Sequence, residues 1–230
     1  MGSRENYVVK LGGHVLIDEC GLPRSEVLSK FIGIVESLWV EGVRVHTVVG
    51  GGKTARLYIE ALAALGAPKT FRDMVGIEVA KLNAKLLTYA LGSRGVKALF
   101  IDSLSLVSKG EEHLYVLGGI SPAQSTTAVA ALLAEALCAS KLVVATDVNG
   151  LYTDDPKRNP EAILLKKVKL KDAIGFLKPA SEPGSYELLD SVALQVIERS
   201  KIPTQIVNGL DPRNIEKAIK GEEVGTLIVP

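Results

Sequence analysis

The sequence predicts an α/β domain, a three-layer αβα sandwich around a central, mostly parallel sheet. Three observations point to it. Short, nearly all-apolar runs recur along the chain, longer stretches with helical spacing separate them, and glycine-rich turns follow several of the runs. Runs that are apolar on both faces suit strands covered on both sides, as in parallel sheets. Strand–helix alternation throughout then implies right-handed crossovers with helices on both faces.

The elements follow in order. Tyr7–Leu11 is the first strand, and Ser25 can cap a helix in which Val27, Phe31, Ile34, Val35 and Leu38 share a face, ending near Gly42. Val43–Val49 is the second strand, followed by helical patterns at Thr54–Leu65 and Asp73–Leu91. Ala98–Ile101 and Leu114–Leu117 are the next strands, and Ser125–Leu137 the next helix. Leu142–Thr146 is a buried strand, then come the helix Tyr186–Ser200, the strand Thr204–Val207, the helix Asn214–Lys220 and the strand Thr226–Val229. Between Thr146 and Tyr186, the proline-bearing Asp154–Asn159, the lysine-dense Leu164–Lys171 and the Pro/Gly-rich Lys178–Ser185 read as surface excursions. They separate an N-terminal lobe, about 1–140, from a C-terminal lobe, about 141–230. The C-terminal strands are too few to bury a core alone, so residues 1–230 are expected to form one domain on one sheet.

Composition narrows the function. With 27 Lys and Arg against 26 Asp and Glu, the net charge is +1, which gives no general attraction for nucleic acid or an anionic membrane. Eleven aromatic residues in 230 leave little for base-stacking platforms. Two cysteines, Cys20 and Cys138, make neither a disulfide framework nor a Cys-based zinc site, so a reducing cytoplasm is the expected location. No apolar run approaches the roughly 20 residues of a membrane span. A small-molecule binder or enzyme is the class that remains.

Ligands of open α/β sheets bind beyond the C-terminal strand ends, and three glycine turns stand there. They are Lys10-Leu11-Gly12-Gly13-His14, Gly50-Gly51-Gly52, and Gly118-Gly119. Such turns let backbone N–H groups approach an anion. Gly52-Lys53-Thr54 resembles the end of a P-loop, but that motif needs glycine five residues earlier, where Thr47 stands. The dinucleotide fingerprint GxGxxG is absent as well. Lys10 in an apolar strand either snorkels to solvent or serves a phosphate cluster. Arg56 is either a solvated helix residue or part of a phosphate clamp. Asp73 either caps its helix or accepts ribose hydroxyls. The segment Thr146–Pro156 leaves a buried strand rich in polar groups that suit a ribose and base, with Tyr152 offering a ring face.

Together these segments resemble the amino acid kinase family and, within it, the archaeal-type uridylate (UMP) kinases. The resemblance runs from Lys10 to Thr226. It rests on Lys10–Gly13, Gly50–Ile59, Asp73–Ile77 leading to Asn83-Ala84, Pro122–Ala131, the Thr146–Pro156 loop, Gly184–Asp190 and Glu198–Ile202. It implies phosphoryl transfer from ATP with Mg²⁺ to UMP in pyrimidine nucleotide biosynthesis, in a homo-oligomer, by resemblance a hexamer. The implied ATP-binding residues are Lys10, Leu11, Gly12, Gly13, His14, Gly52, Arg56, Thr146, Asp147, Tyr152 and Asp155. Those implied for UMP are Gly51, Asp73 and Ile120, Ser121, Pro122, Ala123, Gln124, Ser125 and Thr126. Lys10 is the implied catalytic residue, and Mg²⁺ is expected on the ATP phosphates rather than on protein ligands.

Three positions depart from the pattern. Thr127 stands where many members of the family have an aspartate thought to orient catalytic lysines. Asp147 and Asn149 look exchanged, since the archaeal kinases usually show Asn at the first and Asp at the second. His14 fills a site often held by a small or basic residue. Two other readings stand beside the UMP kinase. One is a related kinase acting on an acyl phosphate acceptor such as glutamate, or on isopentenyl phosphate. The other is a nucleotide-binding storage or regulatory protein of the same fold. The apolar helix with Phe31, Ile34, Leu38 and Trp39 is either a dimer face or core packing.

Overall fold

A computed structural model of the chain describes residues 5–108, 112–154, 159–176 and 188–230. It contains β1 (Asn6–Leu11), α1 (Gly13–Leu16), α2 (Ser25–Val40), β2 (Arg44–Val49), α3 (Gly52–Ala64) and α4 (Lys69–Gly92). There follow β3 (Ala98–Phe100), β4 (Leu114–Leu117), α5 (Thr126–Ala136), β5 (Lys141–Thr146), β6 (Lys167–Lys169) and α6 (Leu170–Ala173). The chain closes with α7 (Ser191–Ser200), β7 (Thr204–Asn208), α8 (Arg213–Ile219) and β8 (Thr226–Val229). One sheet runs through the molecule in the order β3-β4-β2-β1-β5-β7-β8-β6. Every pairing is parallel except β7 with β8.

Alternation along the central strands sets the two outer layers. Val9 and Leu11 of β1, Val45 and Val49 of β2, and Val143 and Ala145 of β5 face a core closed by α2, α4 and α8. Val8, Val48, Leu142 and Val144 point to the opposite core, closed by α5 and α7. Period 2 thus divides one apolar run between two cores, which is why these runs carry no polar face. Lys10 shares a face with Val8, so its side chain enters the layer that holds α5 and α7.

Several sequence expectations are corrected here. Ser25 is the first residue of α2, not its cap; Arg24 precedes the helix and no side chain caps it. Asp73 lies in the second turn of α4, because the helix starts at Lys69 directly after Pro68, whose fixed φ suits a helix entry. The last long helix begins at Ser191 with Asp190 as its N-cap rather than at Tyr186; Tyr186 and Glu187 lie outside the described residues. The lysine-dense segment contributes the edge strand β6, whose alternating Lys167 and Lys169 are exposed. Charged residues on an edge are the usual guard against pairing with another chain. Phe31 and Leu38 are 0% and 1% exposed inside the core, and Ile34 and Trp39 are partly buried against it, so these residues of α2 pack the domain.

His46 is buried between β2 and β4 and has a structural part. Its Nδ1 accepts the Tyr115 backbone N–H at 3.0 Å, and the two rings stack with centroids 5.5 Å apart. Burial, with the nearby Arg44 charge second, pushes its pKa down to about 4, so the ring stays neutral and able to accept.

Candidate active site

In strand order, β1 has β2 on one side and β5 on the other. Such a reversal opens a crevice at the C-terminal strand ends. A cavity of about 690 Å³ lies there. Two glycine turns form its floor and meet backbone to backbone. A Cβ on Gly13 would stand 2.3 Å from the Gly52 nitrogen, and one on Gly52 would stand 2.7 Å from the Gly13 carbonyl oxygen. Gly52 also has φ +66°, so it needs glycine twice over. The same residue opens α3, a thirteen-residue helix, and turns that helix's N-terminus toward the cavity.

Lys10 lines this space and is only 4% exposed, which rules out the snorkelling alternative. Its Nζ folds back over Gly12, 3.7 Å from where a Cβ would stand there. Burial pulls its pKa from 10.5 down to about 8, opposed by the charges of Asp147 and Asp190. Near neutral pH the ammonium is still charged, held in a site of low dielectric where it acts strongly on an anion.

The opposite wall is built by α4 and the segment before α5. Asp73 accepts the Ala123 backbone N–H at 3.1 Å, across 50 residues of sequence. Ala123 adopts φ +59°, a conformation rare outside glycine, so the 121–125 wrap is shaped by its contacts rather than by local preference. Ser125 caps α5 by accepting the N–H groups of Thr127 and Ala128 at 3.1 and 3.0 Å. Asp190 caps α7 in the same way, accepting from Val192 and Ala193 at 2.9 and 3.0 Å. The Ser125 hydroxyl donates to the other oxygen of Asp190. Two helix N-termini are thereby tied together at one rim of the cavity.

Of the residues expected to bind nucleotide, Lys10, Gly13, His14, Gly51, Gly52, Arg56, Asp73 and 121–126 line this one cavity. Leu11, Gly12, Ile120, Thr146, Asp147 and Tyr152 are not in its wall. Leu11 points into the α2–α4 core by strand alternation, and Ile120 packs toward the α5 core. Gly12 is pinned against β5, donating its N–H to the Ala145 carbonyl at 2.9 Å. Thr146 and Asp147 continue from that point on the β5 side, and Tyr152 forms a β-bridge with Leu164. Asp155 lies outside the described residues. Lys69 and Asp190 line the cavity without having been singled out. Starting the helices at Asp73 and Tyr186 hid them. Pro68 before Lys69, and Asp190-Ser191 before a helical pattern, were the available signals.

Comparison with known proteins places the chain in a family. The model of the amino acid kinase family covers residues 6–208. The chain belongs to the amino acid kinase family. Among curated relatives of this amino acid kinase, the uridylate kinase of Hyperthermus butylicus is 40% identical over 222 residues, 96% of each chain. That of Methanobrevibacter smithii is 40% identical over 226 residues, 96% of this chain and 98% of its own. The crystal structure of uridylate kinase from Archaeoglobus fulgidus superposes with a TM-score of 0.80 at 36% identity, covering 97% of this chain and 99% of that one.

Proposed function

We propose that this amino acid kinase is a UMP kinase, transferring the γ-phosphoryl group of ATP to UMP to give UDP and ADP in pyrimidine nucleotide synthesis. The observation that carries the reading is one continuous cavity in which the buried Lys10 and the Gly13–Gly52 floor face the Asp73–Ala123 wall. In this reading two phosphate groups lie side by side there, and the relatives named uridylate kinase support the function. Phosphoryl transfer asks a protein mainly for alignment and charge neutralisation. In this reading the N-terminal lobe, about 1–140, binds UMP through Gly51, Asp73 and 120–126. The C-terminal lobe, about 141–230, binds adenosine through Thr146, Asp147, Tyr152 and Asp155. Lys10, Leu11, Gly12, Gly13, His14, Gly52 and Arg56 serve the ATP phosphates.

Mg²⁺ belongs to the reading as the ion that neutralises charge on ATP. Among the described residues no group of three or more His, Cys, Asp or Glu is placed to hold a metal. In this reading the ion rides on phosphate oxygens and water, as Mg²⁺ commonly does. We also assign a cytoplasmic location, in keeping with two cysteines that are exposed and unbridged, and no helix of the described residues is long and apolar enough to cross a membrane. A homo-oligomer, by resemblance a hexamer, is the assembly we assign. Apolar contact area for it is offered by exposed Phe71, Leu82 and Tyr89 of α4.

Turnover with UMP set against CMP, glutamate and isopentenyl phosphate tests the reaction, and UMP is the expected best acceptor. A better acceptor among the other three rejects the reading; nucleotide binding without UDP formation favours a storage or regulatory protein. Asp73→Asn is expected to raise the apparent KM for UMP about tenfold with kcat little changed, since it weakens a charge-assisted bond that shapes the wall. Steady-state kinetics with each substrate varied in turn checks this, and a change confined to ATP removes Asp73 from the UMP side.

A further inference from the structure

The cavity wall formed by residues 121–126 turns sharply just before α5. The Gln124 N–H closes the turn on the Ser121 carbonyl at 3.2 Å, and Ala123 inside it stands at φ +59°. A residue with a Cβ keeps that backbone only where its surroundings impose it. Two carboxylates supply the grip, from different elements. Asp73 of α4 holds the Ala123 N–H at 3.1 Å. Asp190, the N-cap of α7 and 65 residues beyond Ser125, accepts the Ser125 hydroxyl.

The two oxygens of Asp190 have separate parts. Oδ1 accepts the Val192 and Ala193 N–H groups at 2.9 and 3.0 Å and so caps its own helix. A cap needs one oxygen, and asparagine serves there as well as aspartate. Oδ2 is surplus to the cap, and it takes the Ser125 proton. Ser125 is fully used in turn. Its oxygen accepts the Thr127 and Ala128 N–H groups at 3.1 and 3.0 Å, and its one proton goes to Asp190. That hydroxyl has no proton left for a ligand, so the Ser125 side chain supports the wall instead of donating from it. An O–H bond to a carboxylate is roughly twice as strong as one between neutral groups, which suits a contact that must hold such a turn. We infer that Asp190 is a positioning residue of the reaction, holding the 121–126 wall in place through the Ser125 hydroxyl and so setting the affinity for the phosphoryl acceptor. The effect on the acceptor rests on the UMP kinase reading above; the tie itself does not.

The experiment is a double-mutant cycle of Ser125→Ala and Asp190→Asn in the full chain, read in steady-state kinetics and in chemical denaturation. Asparagine keeps the α7 cap but turns an N–H₂ group toward a hydroxyl oxygen that two amides already occupy. Alanine at 125 removes the hydroxyl and leaves every charge in place, including that of Asp190, which also acts on Lys10. Each single variant is expected to raise the KM for UMP about tenfold, with the KM for ATP within about threefold, on the scale of one lost charge-assisted bond. The double variant is expected to show about the same tenfold rise, and the losses in denaturation midpoint are expected not to add. Ser125→Thr, which keeps a hydroxyl, should stay within about threefold of the wild type. A rise near a hundredfold in the double variant overturns the inference, because the two side chains then act independently. So does a folded Asp190→Asn with an unchanged KM for UMP, which makes its bond to Ser125 a cap and nothing more. Absence of UMP phosphorylation by the wild type rejects the reaction instead. The denaturation midpoints then still decide the tie, which additive losses overturn.

Discussion

Replacing Lys10 with alanine is expected to lower kcat by about 10²–10³-fold while leaving the KM for UMP within about threefold. The reason lies in where the charge sits. Lys10 is 4% exposed, its ammonium folds back over Gly12, and two carboxylates keep it ionised against a burial that pulls its pKa to about 8. In that setting it is preorganised, so stabilising the charge that develops during transfer costs no rearrangement. UMP, which the proposed reading puts on the Asp73–Ala123 wall, should depend on it little. The pH dependence follows with a definite sign. Only protonated Lys10 attracts phosphate, so kcat/KM of the wild type should fall as pH rises through about 8, the value for the free enzyme. That limb should be missing from Lys10→Ala. Full steady-state kinetics of both proteins between pH 6 and 9.5 measures this, and an unchanged turnover number removes Lys10 from the reaction.

Gly13→Ala is expected to be at least as damaging, for a steric reason. The added methyl would lie 2.3 Å from the Gly52 nitrogen and 2.5 Å from its Cα. Both are backbone atoms, so no flexible side chain can swing aside. The turn after β1 would have to part from the turn after β2, spoiling the floor that the proposed reading gives to the phosphates. Overpacking of this kind typically costs 1–3 kcal/mol in stability, and activity should fall by about 10²-fold or more because a displacement near 1 Å ruins alignment. Gly33→Ala is the control. No atom lies within 4 Å of its would-be Cβ, it stands inside α2, and the change should stabilise by about 0.5–1 kcal/mol with full activity. Chemical denaturation and turnover of the two variants give the comparison; an active, stable Gly13→Ala would mean that the two turns do not need this contact.

The fold was legible in the sequence because its signals are local and repeated. Val8–Leu11, Val45–Val49 and Leu142–Ala145 are apolar at every position but Lys10, His46 and Thr47, and only a strand between two cores uses residues that way. The glycine turns were legible for a similar reason, since each follows such a strand. Helix entries were harder. Asp73 and Asp190 are both plausible starts by residue type, yet the first sits in the second turn of its helix and the second is the true cap. The Asp73 side chain turns to the Ala123 amide across the fold, while Asp190 accepts the Val192 and Ala193 amides of its own helix and also takes the Ser125 hydroxyl. The edge strand β6 was hidden because three residues with two exposed lysines carry almost no hydrophobic period; pairing with β8 alone makes it a strand.

The sequence by itself determined the sheet class, the two-core layering of its central strands, and the turns at which an anion can bind. Tertiary structure alone decided which charges act on Lys10. Asp147 and Asp190 stand 137 and 180 positions further along the chain, and no periodicity carries information over such separations. Closing the sheet with β5 beside β1, and setting the first turns of α5 and α7 together, brings them there. Local pattern tells which face a side chain takes, but the charge waiting on that face is known only once the chain has closed.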